Sequence, residues 1–257
     1  LSPITCERLP GHVALVTLNR PQARNAVDGA VAVQLGSLVE ETESDPQVWA
    51  VVLTGAGSGA FCAGADLKEI AAGRAQSLFT ERGGFAGFVH APRDKPWIAA
   101  VNGKALAGGC EIALACDLIV AAEDAAFGLP EVSRGLTAAA GGLYRLPRAL
   151  PRNLALEMIL TADPIDAQRA HQHGLVNRLV PANRVVDEAL ALARRITCNA
   201  PVAVRESLRI ARQADDLDDE QLRALSTQSR ARVAATEDYL EGPRAFIEKR
   251  EPNWLGR

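Results

Sequence analysis

Apolar positions along the chain follow two rhythms, and their order predicts an α/β body followed by a helical end. Residues 12–19, HVALVTLN, alternate apolar and polar positions, the period of a strand with one buried face. Residues 48–57, VWAVVLTGAG, and 96–103, PWIAAVNG, are continuous apolar runs closed by glycine, the pattern of strands buried on both faces. Residues 118–124, LIVAAED, predict a further strand. Helical spacing runs from Asp28 to about Glu43, over DLKEIAAG (66–73), over 75–91 and over the short GCEIALACD (109–117).

Beyond Gly141 the pattern turns mostly helical: PRNLALEMILTA (151–162), DAQRAHQHG (166–174), the strand-like LVNRLVP (175–181), then RVVDEALALARRITCNA (184–200). Everything after Pro201 reads as helix, with a break expected at Gly242-Pro243. The expected organisation is an α/β body over residues 1–195 and a helical C-terminal region over 196–257.

Composition narrows the function classes. The 257 residues are 48% hydrophobic and 23% charged, ordinary for a globular protein with a sizeable core. A formal net charge of −3 argues against a general nucleic-acid or membrane-surface binder, leaving room for a local basic patch facing a phosphorylated ligand. No apolar run reaches membrane-spanning length, and the first residues lack the basic region and apolar core of a signal peptide. The five cysteines, Cys6, Cys62, Cys110, Cys116 and Cys198, are odd in number and scattered, with no C-x-x-C. Neither a disulfide framework nor a metal site is expected, and a cytoplasmic setting is.

Three stretches carry candidate chemistry. In TGAGSGAFCAG (54–64), Gly55-x-Gly57-x-x-Ala60 mimics a dinucleotide fingerprint. Gly64 interrupts any helix there, and no acidic residue ends a second strand about 20 residues on, so a loop approaching a ligand closely is the better reading. In ALAGGCEIALACD (105–117), small residues precede a helix start, where free backbone N–H groups attract negative charge. Glu111 in its first turn can be ordinary helix-dipole electrostatics or a functional carboxylate. In AAFGLPEVSRG (125–135), Glu131 can equally be a solvated loop carboxylate. His12, His90, His171 and His173 lie in unrelated contexts, and no Ser-His or Cys-His pairing is suggested.

Together these stretches resemble the crotonase superfamily, whose best-known members are enoyl-CoA hydratases. The resemblance is carried, in the family's order, by VALVTLNRPQARNAV, VVLTGAGSGAFCAGADLKEI, KPWIAAVNGKALAGGCEIALACDLIVAAEDAAFGLPEV, AGGLYRLPR, MILTADPIDAQRAHQHGLVNRLVP and EGPRAFIEKR. It implies a spiral of ββα units in two near-perpendicular sheets, followed by helices that form trimers or dimers of trimers. It implies an acyl-CoA thioester as substrate, with coenzyme A part of that substrate and no separate cofactor, and a hydratase/dehydratase reaction on the C2–C3 bond. By position, Ala65 and Gly108 would supply the two N–H donors of an oxyanion hole. Glu111 and Glu131, twenty positions apart as in the family, match the acid/base pair. Glu111 would activate water and Glu131 would exchange the C2 proton. Arg24, Ala63, Asp66, Leu67 and Lys68 would lie along CoA, and Phe246 and Lys249 would cover the CoA of a neighbouring subunit.

Some segments depart from the hydratase pattern. Ala138-Ala139 stand where hydratases often carry Pro-Gly, so Ala139 is expected to be strained if that position needs a positive φ. Leu129 stands at an often polar position. ERGGFAGF, RLPRALP and the C-terminal stretch are more similar to the carnitinyl-CoA dehydratase branch. The alternatives left open are that dehydratase activity, enoyl-CoA isomerisation, and a non-catalytic acyl-CoA- or RNA-binding role.

Overall fold

The computed structural model describes residues 2–257. Its body is built on two sheets. Strands β1 (Ile4–Leu9), β2 (Val13–Leu18), β3 (Ala50–Gly55), β7 (Trp97–Val101), β9 (Leu118–Ala122) and β12 (Arg178–Val180) form a six-stranded sheet in that spatial order. Only the β1–β2 hairpin is antiparallel in it. The short strands β4 (Gly59–Cys62), β8 (Gly103–Leu106), β10 (Ala126–Gly128) and β11 (Ile165–Asp166) form the second sheet, in the order β11-β10-β8-β4.

The chain alternates between the sheets in a repeated ββα step. β3 passes to β4 and then to α2 (Leu67–Ala71); β7 passes to β8 and α3 (Gly108–Ala115); β9 passes to β10, a 3₁₀ turn and α4 (Gly142–Ala149). The corner between β7 and β8 is Asn102 alone. Its amide donates to the Gly55 and Gly57 carbonyls at 2.8 and 2.9 Å, tying one unit to the preceding one. Every residue of β3 and β7 is buried, as their uninterrupted apolar runs require. Helix α1 (Gly29–Ser44) starts where Asp28 accepts the Val31 N–H at 2.9 Å, and it buries Val31, Ala32, Leu35, Leu38, Val39 and Thr42 on one stripe.

Past α4 come α5 (Arg152–Thr161), α6 (Ala167–Gln172) and α7 (Val185–Thr197), which packs Val185, Ala189 and Ala193 into the body. The Thr197 hydroxyl at its end donates to the Gly11 carbonyl at 2.7 Å, so the expected boundary at 195 falls just inside this helix. Helices α8 (Pro201–Ala211), α9 (Asp219–Ala234) and α10 (Asp238–Glu248) complete the chain, and residues 251–257 are not helical.

Besides this non-helical end, where helix was expected throughout, the structure corrects two sequence expectations. Residues 75–91 are not a helix: a 3₁₀ turn over 75–78 leads into a small hairpin of β5 (Phe79–Thr80) and β6 (Gly84–Phe85), then turns. Gly84 and Gly87 adopt φ of 64° and 65°, and a side chain at Gly87 would meet the Ala32 carbonyl at 2.2 Å, so this segment bends to lie against α1. Gly242-Pro243 does not break α10, which runs through it. Pro243 lies early in the helix and removes one backbone bond, while the C-terminal segment returns to hold the turn: Glu241 accepts the Asn253 N–H at 2.8 Å.

Candidate active site

The three ββα steps deliver their loops to one place. A cleft of about 1000 Å³ is lined by the turn after β2, the loop from β4 into α2, the start of α3 and the stretch 130–140. It brings together Arg24, Ala63, Ala65, Asp66, Leu67, Lys68, Gly108, Glu111 and Glu131, residues far apart in sequence. Phe246 and Lys249 do not line it. Phe246 is 85% exposed on α10, and Lys249 follows that helix in a left-handed conformation.

The backbone of the cleft wall is shaped by close approach. Val27 N–H donates to the Gly64 carbonyl and Asp66 N–H to the Val27 carbonyl, both at 2.8 Å, which turns the Ala65 N–H away from that bridge. Gly64, at φ +88°, abuts the start of α3 so closely that a Cβ there would lie 2.8 Å from the Gly108 nitrogen. The residue before Gly108 is Ala107, held at φ 52°, ψ −132°, a conformation costly for any L-residue with a side chain. Among the described residues neither the Ala65 nor the Gly108 N–H donates a hydrogen bond to another backbone group. Two neighbouring donors therefore face the cleft without partners in the chain, one of them the first N–H of a helix.

Glu111 and Glu131 stand beyond those donors. Glu111, in the first turn of α3, is 3% exposed, and its carboxylate accepts the Gly142 N–H at 2.8 Å. Burial pushes its pKa up to about 7; the Gly142 bond opposes that shift, and the charge of Glu131 adds to it. Glu131 lies on a 3₁₀ turn (Pro130–Arg134) and is 8% exposed. Burial raises its pKa too, and its Oε2 has no hydrogen-bond partner among the described residues. A buried carboxyl oxygen without a partner costs free energy, and a bound reactant can supply the missing contact.

Ala139 escapes the expected strain. The positive-φ positions of its loop are Gly135, at 69°, and Gly141, at 114°, and Ala139 donates its N–H to the Thr137 carbonyl at 2.8 Å. Leu129 is fully buried and does not line the cleft: a Cβ built on Gly142 would sit 2.8 Å from its Cδ1, so it backs the loop that holds Glu111. Cys62 and Cys110 are packed among apolar groups; burial pushes Cys62 up to about 12 and raises Cys110 as well, so both remain thiols. Among the described residues no three His, Cys, Asp or Glu side chains form a group able to hold a metal ion, and no helix is long and apolar enough to cross a membrane.

Sequence reasoning missed several supports of this wall. Arg20 reaches Asp66 at 3.0 Å, Asp28 at 3.1 Å and the Ala26 carbonyl, which anchors the loop carrying Ala65. Asn25 is buried at φ 55°; it accepts the Arg20 N–H and donates to the Ala56 and Ala60 carbonyls, each at 3.0 Å. The polar run NRPQARN directly after a strand was the available signal. Phe85 could not have been found this way, because it reaches Gly108 only through the unexpected hairpin. A Cβ at Gly108 would lie 2.5 Å from its ring.

Comparison with known proteins agrees with this architecture. The family model described as enoyl-CoA hydratase/isomerase matches residues 8–257. The carnitinyl-CoA dehydratase of Proteus mirabilis is 40% identical over 252 residues, covering 96% of each chain. The crystal structure of an enoyl-CoA hydratase from Mycobacterium tuberculosis superposes with a TM-score of 0.95 at 43% identity, and that of a carnitinyl-CoA hydratase from Mycobacterium avium with 0.79 at 50% identity, each covering 100% of both chains. Spiral body, cleft and relatives lead to one conclusion: the chain is an enzyme belonging to the enoyl-CoA hydratase/isomerase family.

Proposed function

We propose that the protein adds water reversibly across the C2–C3 double bond of a 2-enoyl-CoA thioester, with Glu111 and Glu131 as its acid/base pair. The observation that carries this reading is that both glutamates are buried in the one cleft that also presents the unpartnered Ala65 and Gly108 N–H groups. The thioester oxygen takes those two donors. Attack of water on C3 moves the π electrons toward that oxygen, and donors already aimed there stabilise the growing charge by roughly 3–4 kcal/mol each. Glu111, its ionised form favoured by the Gly142 N–H, accepts a proton from the attacking water. In the reacting state the single proton of the pair sits on Glu131, which gives it to C2. The pair ends with its single proton on the other carboxyl and resets by exchange with solvent.

Arg24 and Lys68 at the rim place positive charge where CoA phosphates would lie, beside Ala63, Asp66 and Leu67. CoA enters as part of the substrate, and no further cofactor is assigned. Tyr239, Leu240, Phe246 and Ile247 leave α10 with an exposed apolar face. We assign that face to subunit contacts in a homotrimer or dimer of trimers, with Phe246 and Lys249 placed over a neighbour's CoA, and the enzyme to the cytoplasm. Light scattering with size exclusion tests the assembly: a mass of one or two trimers supports it, and a monomer contradicts it.

The relatives named carnitinyl-CoA dehydratase favour a second reading in which the same glutamates remove water from a carnitinyl thioester. A panel of crotonyl-CoA, a longer 2-enoyl-CoA and carnitinyl-CoA separates the two, with the conjugated thioester absorbance as readout. Turnover of the hydrocarbon thioesters supports the first reading. CoA binding without turnover of any thioester points to a binding homologue.

A further inference from the structure

One cation stands beside the glutamate pair without an assigned role. In a 3₁₀ turn residues three apart lie on the same face, so the turn Pro130–Arg134 puts Arg134 on the face of Glu131, its backbone about 6 Å further along the axis, and the arginine charge acts on that carboxyl. Both side chains line the cleft. The guanidinium is not tied up: it donates to the Pro130 carbonyl at 3.3 Å and, among the described residues, enters no ion pair. The other carboxylates of the cleft wall are occupied elsewhere, Asp66 by Arg20 at 3.0 Å and Glu69 by Arg74 at 2.8 Å. The rest of this end is apolar, with Leu78, Phe79, Phe85 and Leu136.

This arrangement bears on what the acyl group can carry beyond C3. If Glu131 works at C2, the substituent on C4 lies within a few ångströms of it, and so within reach of Arg134. Among the described residues Arg134 enters no ion pair, so its charge is open to a substituent placed there. We propose that Arg134 selects acyl groups by charge: it admits uncharged or anionic 2-enoyl thioesters and disfavours those with a quaternary ammonium on C4. The inference rests on the two-glutamate reading of the site and deepens it, and it separates this chain from the acyl group named for its carnitinyl-CoA dehydratase relatives. Like charges brought close at a partly solvated rim imply discrimination on the order of tenfold.

The test compares kcat/KM for crotonyl-CoA, its 4-trimethylammonio analogue and glutaconyl-CoA in the wild type, Arg134→Gln and Arg134→Glu. The expected wild-type preference is about tenfold for crotonyl over the cationic thioester. Arg134→Glu should shift that ratio about tenfold or more toward the cation and lower glutaconyl-CoA turnover, with Arg134→Gln between. Rising ionic strength should narrow the wild-type ratio, a readout that does not depend on a variant folding. A wild-type preference for the cationic thioester overturns this proposal alone, as does a ratio that neither variant nor salt moves. Absence of hydration with all three thioesters overturns the reading of the site and the proposal with it.

Discussion

The carboxylates of the cleft and those of the helical end live under opposite conditions. On α8 to α10 acidic groups meet arginines: Glu206 holds Arg209 and Arg232, Glu237 holds Arg257, and Glu241 holds Arg250. Arg250 and the Asn253 N–H bring Glu241 down to about 2. In the cleft, Glu111 is buried on a backbone donor with no ion pair, and among the described residues Glu131 Oε2 has no hydrogen-bond partner. Paired charges hold helices together, whereas buried carboxyls outside ion pairs suit the proton transfers proposed for them. The contrast predicts that removing a cleft carboxylate harms the reaction and spares the fold, and that removing a tail carboxylate does the reverse.

The largest expected effect tests the first half. Glu111→Gln and Glu131→Gln should each lower kcat for hydration by about 100-fold or more, the range for losing a positioned acid or base, measured as loss of enoyl-thioester absorbance. Near-normal rates in both would remove the pair from the mechanism.

Next comes a stability effect of unusual sign. A carboxyl whose pKa is raised by folding, here to about 7 from an ordinary value of 4.5, binds its proton more tightly in the folded state. Folding is therefore most favoured below the ordinary value and loses stability as pH rises from there through 7. Glu111→Gln keeps an acceptor for Gly142 and removes that penalty. It should stabilise the protein above pH 7 by up to about 3 kcal/mol, with the gain fading toward pH 4.5. Denaturant unfolding at several pH values reads this, and a variant less stable than the wild type at pH 8 would count against an uncompensated charge.

The tail gives smaller effects in the other direction. Glu206 joins α8 to α9 by accepting from Ser229 at 2.6 Å and from Arg232 at 2.8 and 2.9 Å. Glu206→Ala should cost about 1–3 kcal/mol in unfolding free energy, while the rate per folded enzyme stays at the wild-type value. Glu241→Gln, at a solvated pair, should change stability least, and the change should vanish in high salt. A Glu206→Ala variant as slow as the cleft variants would erase the distinction between the two regions.

Much of the six-stranded sheet was legible because its central strands are buried on both faces, and unbroken apolar runs such as VWAVVL and PWIAAV announce that. The second sheet was not. β4, β8 and β10 are too short to develop a period, and glycines within β4 and β8 look like loop residues until the backbones they accommodate are known: a Cβ on Gly103 would lie 2.5 Å from the Gly59 carbonyl carbon. The hairpin over 79–85 replaced a helix for a related reason, since ERGGFAGF bends where α1 demands close approach and no local rule carries that contact. At the site, the paired glutamates and the small-residue loops were readable by resemblance. The unpartnered oxygen of Glu131, the strained Ala107 and the Arg20–Asp66 anchor were not, because each depends on segments that meet only in three dimensions.

The claim at the centre is that the cleft carboxylates work because burial outweighs their partners and no ion pair holds them in the charged form. The most direct measurement is the pH dependence of kcat/KM for crotonyl-CoA hydration between about pH 5 and pH 9. If ionised Glu111 accepts the proton of water, the rate should fall on the acid side with an apparent pKa near 7, about tenfold for each further pH unit. A rate that stays level down to about pH 5 would mean that the carboxylate is as neutralised as those on the tail, and would contradict the mechanism.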